Sequence, residues 1–444
     1  MTRGRNQSTL GPMRKYDELD AARVFVFWLF AAVGLIMAWR TARLASGVDF
    51  YQFWVVGQAM HRPGLNVYSD DARRELGAEF LKSASGSSSP RQIAAAAFRP
   101  TLETYSSPFL YAVFRVFSSG WYEIDLDRYR GILIAGMVFS IVMFTRLLNQ
   151  SWNITSIAIG WTCLWFAPFS ADMEVANVNG AQLAALAVYL WMRMRLRGPR
   201  RDLLSGALLG IAIAFKPNII FVVAMLMAYW LLNGQWRYLL YSGIGVAAGA
   251  AAAVGAAAIA FGSFFPWIEW TSAVASLPEE AISTEYGNFA LTRVVRYWWG
   301  GSAEMATFTL LAILPVIGMT VRRARMRKAD AFASDGEGEV LALALGCLLV
   351  VLMPRLAWLQ YYILTIPAIL LLLGRPSSLP GWRSAALIRY VLLAVVLGTL
   401  RIRPVPSVRT VLSANAHAVV VVLSTSVLFG MTWLRMIGRN GDSR

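Results

Sequence analysis

Repeated apolar runs of about 15–24 residues dominate the chain, and runs of this length can cross a hydrocarbon core roughly 30 Å thick. Only 15% of the 444 residues are charged, whereas 57% are hydrophobic and the mean hydropathy is +0.53. A soluble domain carries about a quarter charged residues. This composition therefore excludes soluble enzymes, disordered scaffolds and fibrous proteins. Because the runs are too long for barrel strands, the sequence predicts an all-α polytopic membrane protein.

Twelve runs qualify as transmembrane spans, and we expect one integral membrane domain over residues 1–444. The predicted spans are 24–40, 131–148, 154–170, 181–196, 203–217, 218–232, 238–261, 305–321, 340–354, 358–374, 384–400 and 410–434. Short cytoplasmic loops collect Lys and Arg. In this arrangement 23 of the 41 basic residues fall on one side, against 7 in the short connections of the other. Both termini are therefore expected to be cytoplasmic, with the protein in the cell (inner) membrane.

The segments between the spans include two long loops on the outer side. The predicted non-membrane segments are a cytoplasmic tail (1–23), two extracytoplasmic loops (41–130 and 262–304) and a flexible cytoplasmic loop (322–339). In the first outer loop, the amphipathic stretches 49–61 and 70–82 are expected to lie on the membrane surface as interfacial helices. Residues 106–120 are apolar but short, which favours an interfacial or re-entrant helix over a true span.

Small residues within the spans predict packing roles. Gly245 and Gly249 form a Gly-x-x-x-Gly pattern, followed by Gly255, in an Ala-rich span that is typical of close helix contact. Cys163 and Cys347 both lie in apolar segments, where we expect small buried packing residues and no disulfide.

Asp49 is the strongest candidate for chemistry, because it lies just beyond the first span. A charge at the bilayer centre costs about 2.5–3.5 kcal/mol even on the insertion scale, so reactive groups should lie at the membrane surface. A carboxylate there can accept a proton from an attacking sugar hydroxyl. The alternative is an N-cap, since Asp before Phe50-Tyr-Gln-Phe also starts a helix well.

Other polar residues fall on the same predicted face. They are Asn177, Asn179, Gly180, Gln182, Lys216, Glu285, Asn288, Arg293, Arg296, Arg355, Arg401, Arg403 and Arg409. Each cation could contact a lipid headgroup, but several on one face favour an anionic, lipid-linked ligand. The chain has two His residues, no Asp-x-Asp, no phosphate-binding glycine loop and no dinucleotide fingerprint. We therefore expect no metal, no other cofactor and no nucleic-acid partner.

The order of several motifs resembles glycosyltransferase family 87, the polyprenyl-phosphate-dependent, mannosyltransferase-like membrane enzymes with the GT-C fold. The similar elements are Val48-Asp-Phe-Tyr-Gln-Phe-Trp54, Gly64-Leu-Asn-Val-Tyr68, Tyr105-Ser-Ser-Pro-Phe109, Asn177-Val-Asn-Gly-Ala-Gln182, Ala214-Phe-Lys-Pro217, Gly287-Asn288 and Trp358-Leu-Gln-Tyr-Tyr362. Two elements depart from the family pattern: the Asn177–Gln182 residues are rearranged, and Gln360 stands where some relatives have His.

The resemblance implies that Asp49 is the catalytic base of an inverting sugar transfer. Its donor would be a polyprenyl-phosphate sugar, with mannose favoured, and its acceptor a glycolipid or glycan. The expected substrate-binding residues are Tyr51, Gln52, Trp54, Asn179, Gln182, Lys216, Asn288, Arg296, Arg355, Gln360, Tyr361 and Tyr362. A lipid or solute transporter, and a glycan ligase with a pyrophosphate-linked donor, remain as alternatives, and the oligomeric state stays open.

Overall fold

The computed structural model describes residues 13–62, 64–279, 282–284, 287–328, 336–374 and 411–437. Throughout these residues the secondary structure is helical. The first nine helices are α1 (Met13–Leu44), α2 (Val48–Ala59), α3 (Asp70–Ser85), α4 (Pro90–Phe98), α5 (Pro108–Phe114), α6 (Tyr122–Leu147), α7 (Trp152–Trp165), α8 (Ala167–Val175) and α9 (Asn179–Arg195). The others are α10 (Gly198–Phe215), α11 (Ile220–Leu232), α12 (Trp236–Phe261), α13 (Phe265–Ala275), α14 (Leu291–Trp299), α15 (Gly301–Lys328), α16 (Gly336–Leu352), α17 (Ile366–Gly374) and α18 (Val411–Ile437).

Eleven of the twelve predicted spans coincide with helices, and the span 384–400 lies outside the described residues. The predicted number of spans is not confirmed. Four described helices, namely α1, α6, α12 and α15, are long and apolar enough to cross a membrane unaided. A fifth span results if α7 and α8, which meet at a 60° bend, are counted together. Other apolar helices of the described residues are shorter, with 10–17 residues each.

Charged residues extend several helices past the apolar stretches that the sequence predicted as spans. Helix α1 continues through Arg43 to Leu44, and α6 begins at Tyr122, so both ends of the segment predicted as the first outer loop, 41–130, are helical. Helix α15 runs to Lys328 and α16 begins at Gly336, so both ends of the loop predicted at 322–339 are helical. Long Arg and Lys side chains can sit in terminal helix turns at a membrane boundary.

The first outer loop folds into four helices, α2 to α5. The prediction that the first of them lies on the membrane surface is wrong, because α2 is buried. Both faces of α2 are buried, with Phe50, Tyr51 and Trp54 at 0–2% exposure. All three rings contact Tyr122 at the start of α6, with ring centroids 5.3–5.8 Å apart. An aromatic helix covered by other loop helices has no apolar face left for lipid. The segment Pro108–Phe117 is a short apolar helix rising about 15 Å, which is too short to cross a bilayer.

Helices α10 and α12 pack at close range through glycines. A Cβ at Gly245 or Gly249 would collide with the backbone of α10 at Leu203 or Ala207, and Gly206 and Gly210 on α10 meet α12 in the same way. The predicted close packing at Gly245 and Gly249 is confirmed, whereas a Cβ at Gly255 would meet no atom within 4 Å. This pairing fixes the direction of α10, whose last residues lead into the candidate site. Cys163 and Cys347 are buried and free, as predicted.

Candidate active site

Three chain reversals meet at one end of the helical bundle. The first is the α1–α2 turn at Gly47, whose N–H donates to the carbonyl oxygen of Glu174 at the end of α8 (3.2 Å). The second is the α8–α9 turn, where Ala176 has a positive φ of 53°, a conformation uncommon for a residue with a side chain. The third is the α10–α11 turn at Lys216, which has an extended conformation. These reversals bring residues distant in sequence into one polar cluster.

Asp49 lies in the first turn of α2 but is not its N-cap, so the capping alternative does not describe its contacts. The N-cap position is Gly47, with a φ of 73°. The Asp49 carboxylate instead accepts a hydrogen bond from Asn177 Nδ2 (2.6 Å) and one from Arg99 Nη2 (3.3 Å). Its side chain keeps 14% exposure, so an acceptor hydroxyl could reach it.

Lys216 is held beside Asp49 by two asparagines. Its ammonium group donates to Asn179 Oδ1 (2.7 Å) and to Asn177 Oδ1 (3.1 Å), and lies 3.8 Å from the centre of the Tyr361 ring. Two of the three ammonium protons are thus engaged, which leaves one for a further acceptor. Asn177 therefore bridges the anion Asp49 and the cation Lys216 with the two ends of a single amide.

Hydrogen bonds from two side chains fix the turn that carries Lys216. Ser107, the N-cap of α5, donates from its hydroxyl to the carbonyl oxygen of Phe215 (3.0 Å). On the other side, Gln182 Nε2 donates to Asn218 Oδ1 (2.7 Å). Residues of two family-like motifs therefore position Lys216, even though neither of these two side chains contacts Asp49 directly.

A second carboxylate, that of Asp172 on α8, lies fully buried behind the asparagines. It accepts hydrogen bonds from Asn179 Nδ2 (2.8 Å) and from the Gly180 backbone N–H (3.2 Å). The cluster therefore alternates in charge from Arg99 through Asp49 and Lys216 to Asp172. Such alternation stabilises each ion in a partly desolvated site, because every charge has a nearby counter-charge or hydrogen-bond partner.

Several predicted binding residues of α2 face the protein interior. Tyr51 is fully buried, and burial raises the pKa of its hydroxyl. Gln52 Oε1 accepts from the Glu103 N–H (2.5 Å), and Glu103 in turn pairs with Arg99 (2.5 Å), so Gln52 positions the loop that holds Arg99. Trp54 Nε1 donates to Asp125 (3.0 Å). These contacts give Gln52 and Trp54 structural roles beside Asp49.

The predicted residues of the second outer loop form a separate group. Asn288 is fully buried, and its amide bonds four backbone groups, those of Ile282, Ala290, Arg355 and Ala357. The Tyr362 hydroxyl donates to the carbonyl oxygen of Phe289 (2.6 Å). These side chains lock the loop onto the segment that follows α16.

The two arginines predicted to bind phosphate also belong to this second group. Arg296 pairs with Glu304 (3.0 Å), and Arg355 pairs with Glu279 (2.9 Å). Gln360 is half-buried in the 3₁₀ segment Leu359–Thr365, next to Tyr361. The structure therefore places Asn179, Lys216 and Tyr361 in the cluster around Asp49, whereas Arg296 and Arg355 pair with glutamates of the second group.

Sequence reasoning missed Arg99 and Asp172. Arg99 ends α4 and reaches Asp49 only because α2 and α4 pack together, so no local pattern marks it. Asp172 does carry a signal: it is an acidic residue close to the end of an apolar run and seven positions before Asn179. An ionisable residue within an apolar membrane segment is expected to have a functional role or a hydrogen-bond partner.

The fold and the cluster define an integral membrane protein with an ionic site at one end of its helical bundle. Residues 105–354 match the profile of glycosyltransferase family 87, and the chain belongs to this family. It is therefore a membrane glycosyltransferase, as the motif resemblance indicated. The match includes Asn177, Asn179 and Lys216, whereas Asp49, Arg99 and Tyr361 lie outside it. Neither the curated proteins nor the solved structures contain a match to this chain.

Proposed function

We propose that this protein is an inverting glycosyltransferase that moves a sugar, with mannose favoured, from a polyprenyl-phosphate donor to a glycolipid or glycan acceptor. The observation that carries the proposal is the Asn177 bridge, which holds a carboxylate and an ammonium group side by side at one end of the bundle. The reaction would take place on the extracytoplasmic face of the inner membrane, with both chain termini cytoplasmic.

In the proposed reaction, Asp49 acts as the general base. The acceptor hydroxyl gives its proton to an Asp49 oxygen as its own oxygen attacks the anomeric carbon. Asn177 and Arg99 hold the carboxylate in place, and each carboxylate oxygen retains a lone pair beyond the bond it already accepts. The new glycosidic bond forms on the face opposite the phosphate, so the anomeric configuration inverts.

Lys216 would stabilise the leaving group in the same step. As the bond between the anomeric carbon and the phosphate oxygen breaks, that oxygen keeps the electron pair and gains negative charge. A fixed cation aimed at developing charge in a desolvated site lowers the barrier more than a mobile one would. Lys216 is fixed by two asparagine oxygens, and the neighbouring Tyr361 ring offers a face for the sugar or the first isoprene unit.

The direct test is transfer by the purified protein in lipid nanodiscs, supplied with prenyl-phosphate mannose and a membrane lipid extract as acceptor. Asp49→Asn should lower the transfer rate by about 10²–10⁴-fold, the usual contribution of a general base. Asp71→Asn is the matched control, because that carboxylate lies in the same outer loop and is 92% exposed. Near wild-type transfer by Asp49→Asn would remove Asp49 from the chemistry.

Product analysis separates the remaining alternatives. An inverted anomer formed from the monophosphate donor supports the proposal, whereas a product formed only from a pyrophosphate donor indicates a ligase. Translocation of lipid without a new glycosidic bond would indicate a transporter and would contradict the proposal.

A further inference from the structure

A cavity lined by both charged and aromatic residues lies at the opposite end of the bundle, between the first turns of α10 and α12. It measures about 620 Å³, and its lining includes Arg201, Asp202, Trp236, Arg237 and Tyr238. Arg201 in this cavity and Lys216 in the candidate active site lie at opposite ends of α10, about 22 Å apart by helix rise. The cavity is therefore distinct from the Asp49 cluster.

The charges around this cavity favour an anion. Arg201 and Arg237 line it, and the one lining carboxylate, Asp202, is already paired with Arg201 (2.8 Å) and with the buried Arg193. Arg193 in turn binds Glu339 (2.7 Å). The exposed residues Arg195, Arg197 and Arg200 on the adjoining turn add further positive charge.

Both helices begin at this cavity without a capping side chain. The N-cap residues, Arg197 for α10 and Gln235 for α12, make no side-chain capping bond, and neither helix has an acidic residue in its first turn. The positive ends of two helix dipoles therefore add to the two lining arginines. An anionic group with several oxygens is the ligand that such a set of donors recognises.

The surroundings of the cavity are those of a membrane boundary. Trp236 is 62% exposed at the start of an apolar helix, and Tyr238 and Tyr241 line the cavity beside it. Below Arg237, the exposed side chains of Leu240 and Ile244 follow at helical spacing along α12. The charged cavity is therefore continuous with an apolar surface along α12, and an acyl chain could lie on this surface.

We propose that this cavity binds the headgroup phosphate of an anionic phospholipid from the leaflet at this end of the bundle, with an acyl chain along Leu240 and Ile244. Basic pockets between helices at such a boundary are suited to anionic headgroups. The site is separate from the one proposed for the sugar donor, and its ligand is not a substrate.

The test is lipid binding by the full-length protein in detergent, measured by native mass spectrometry as phosphatidylglycerol or phosphatidylcholine is added. We expect phosphatidylglycerol to bind more tightly. Arg237→Gln should weaken it about five-fold, and Arg237→Glu about 20-fold or more, since each charge near the headgroup contributes a factor of this size. The matched control is Arg325→Gln, an exposed cation at the same end of the bundle that contacts the backbone of Ile437.

The outcomes divide clearly. Unchanged thermal unfolding of the Arg237 variants without lipid, together with selective loss of phosphatidylglycerol, supports the site. Equal binding of the two lipids, or the same loss in Arg325→Gln as in Arg237→Gln, overturns it. If millimolar inorganic phosphate displaces no lipid, the headgroup assignment holds; if phosphate alone stabilises the protein as much as phosphatidylglycerol does, the ligand is a soluble anion and the lipid assignment is wrong.

Discussion

Asn177 donates a 2.6 Å hydrogen bond to Asp49, and this contact orients the carboxylate on which the proposed chemistry depends. The oxygen of the same amide accepts a hydrogen bond from Lys216 (3.1 Å). These two partners determine which end of the Asn177 amide is the nitrogen and which is the oxygen. An ammonium group cannot donate to an NH₂ group, and a carboxylate cannot accept from a carbonyl oxygen. Asn177 consequently couples the base to the cation that would stabilise the leaving group.

The first prediction concerns this coupling. Asn177→Asp places a second carboxylate within hydrogen-bond distance of Asp49, so repulsion displaces the base. We expect it to lower the rate of sugar transfer by more than Asn177→Ala, which removes only the bond. Steady-state kinetics of both variants in nanodiscs provides the measurement. Equal rates for Asn177→Asp and the wild type would contradict the proposed role of the bridge.

Lys216 gives a second prediction. Lys216→Met keeps much of the side-chain length but removes the charge, and we expect kcat to fall by about 10²–10³-fold, the scale seen when one transition-state donor is lost. Lys216→Arg keeps the charge with altered geometry and should retain more activity than Lys216→Met. If both variants lose only donor affinity and keep kcat, Lys216 binds the substrate without stabilising the leaving phosphate.

Asp172 should act as a positioning residue. Asp172→Ala leaves the Asn179 amide and the Gly180 N–H without their buried acceptor, a loss of about 1–3 kcal/mol in unfolding free energy. Because Asn179 also holds Lys216, the rate should fall together with the melting temperature. Asp172→Asn retains one acceptor oxygen and is expected to recover part of both. A variant with an unchanged melting temperature would argue against the buried network.

A substitution at Trp54 can distinguish a structural role of this side chain from contact with the substrate. Its indole N–H donates to the buried Asp125, which also accepts from the Ser119 backbone (2.8 Å). Trp54→Phe should therefore lower the melting temperature while leaving KM for the sugar donor within about two-fold, since the side chain is too buried to stack on a ligand. Trp121→Phe, at a position 71% exposed, is the control. A ten-fold rise in KM would instead indicate that Trp54 contacts the substrate.

The glycine contacts between α10 and α12 yield a matched pair of variants. Gly249→Ala forces a methyl group against the carbonyl oxygen of Ala207, and overpacking of this kind costs about 1–3 kcal/mol. Gly255→Ala, on the same helix, meets open space and should be neutral or slightly stabilising because alanine favours helix. Thermal unfolding in detergent distinguishes them. Equal melting temperatures would mean that the two helices can separate without cost.

Sequence reasoning reached the helical class, most of the helix positions and four members of the cluster around Asp49, namely Asn177, Asn179, Lys216 and Tyr361. It succeeded because apolar run length reports directly on helices in a bilayer, and because a polar group beside such a run stands out. It failed for α2, whose aromatic residues resemble an interfacial helix. Only the packing of α2 against α5 and α6 shows that these residues are buried.

The one-dimensional order of residues therefore determined the membrane class, the family and a polar motif at Asn177–Gln182. The tertiary structure decided which charges act together. The hydrogen bonds that join Arg99, Asp49, Asn177 and Lys216 connect residues 39 to 128 positions apart in the sequence. Only the packing of the helices brings these residues together. Arg296 and Arg355 are equally suitable by residue type, but nearby glutamates pair with them. Ion pairs depend on the distance between two charges in space, and local sequence patterns do not specify that distance.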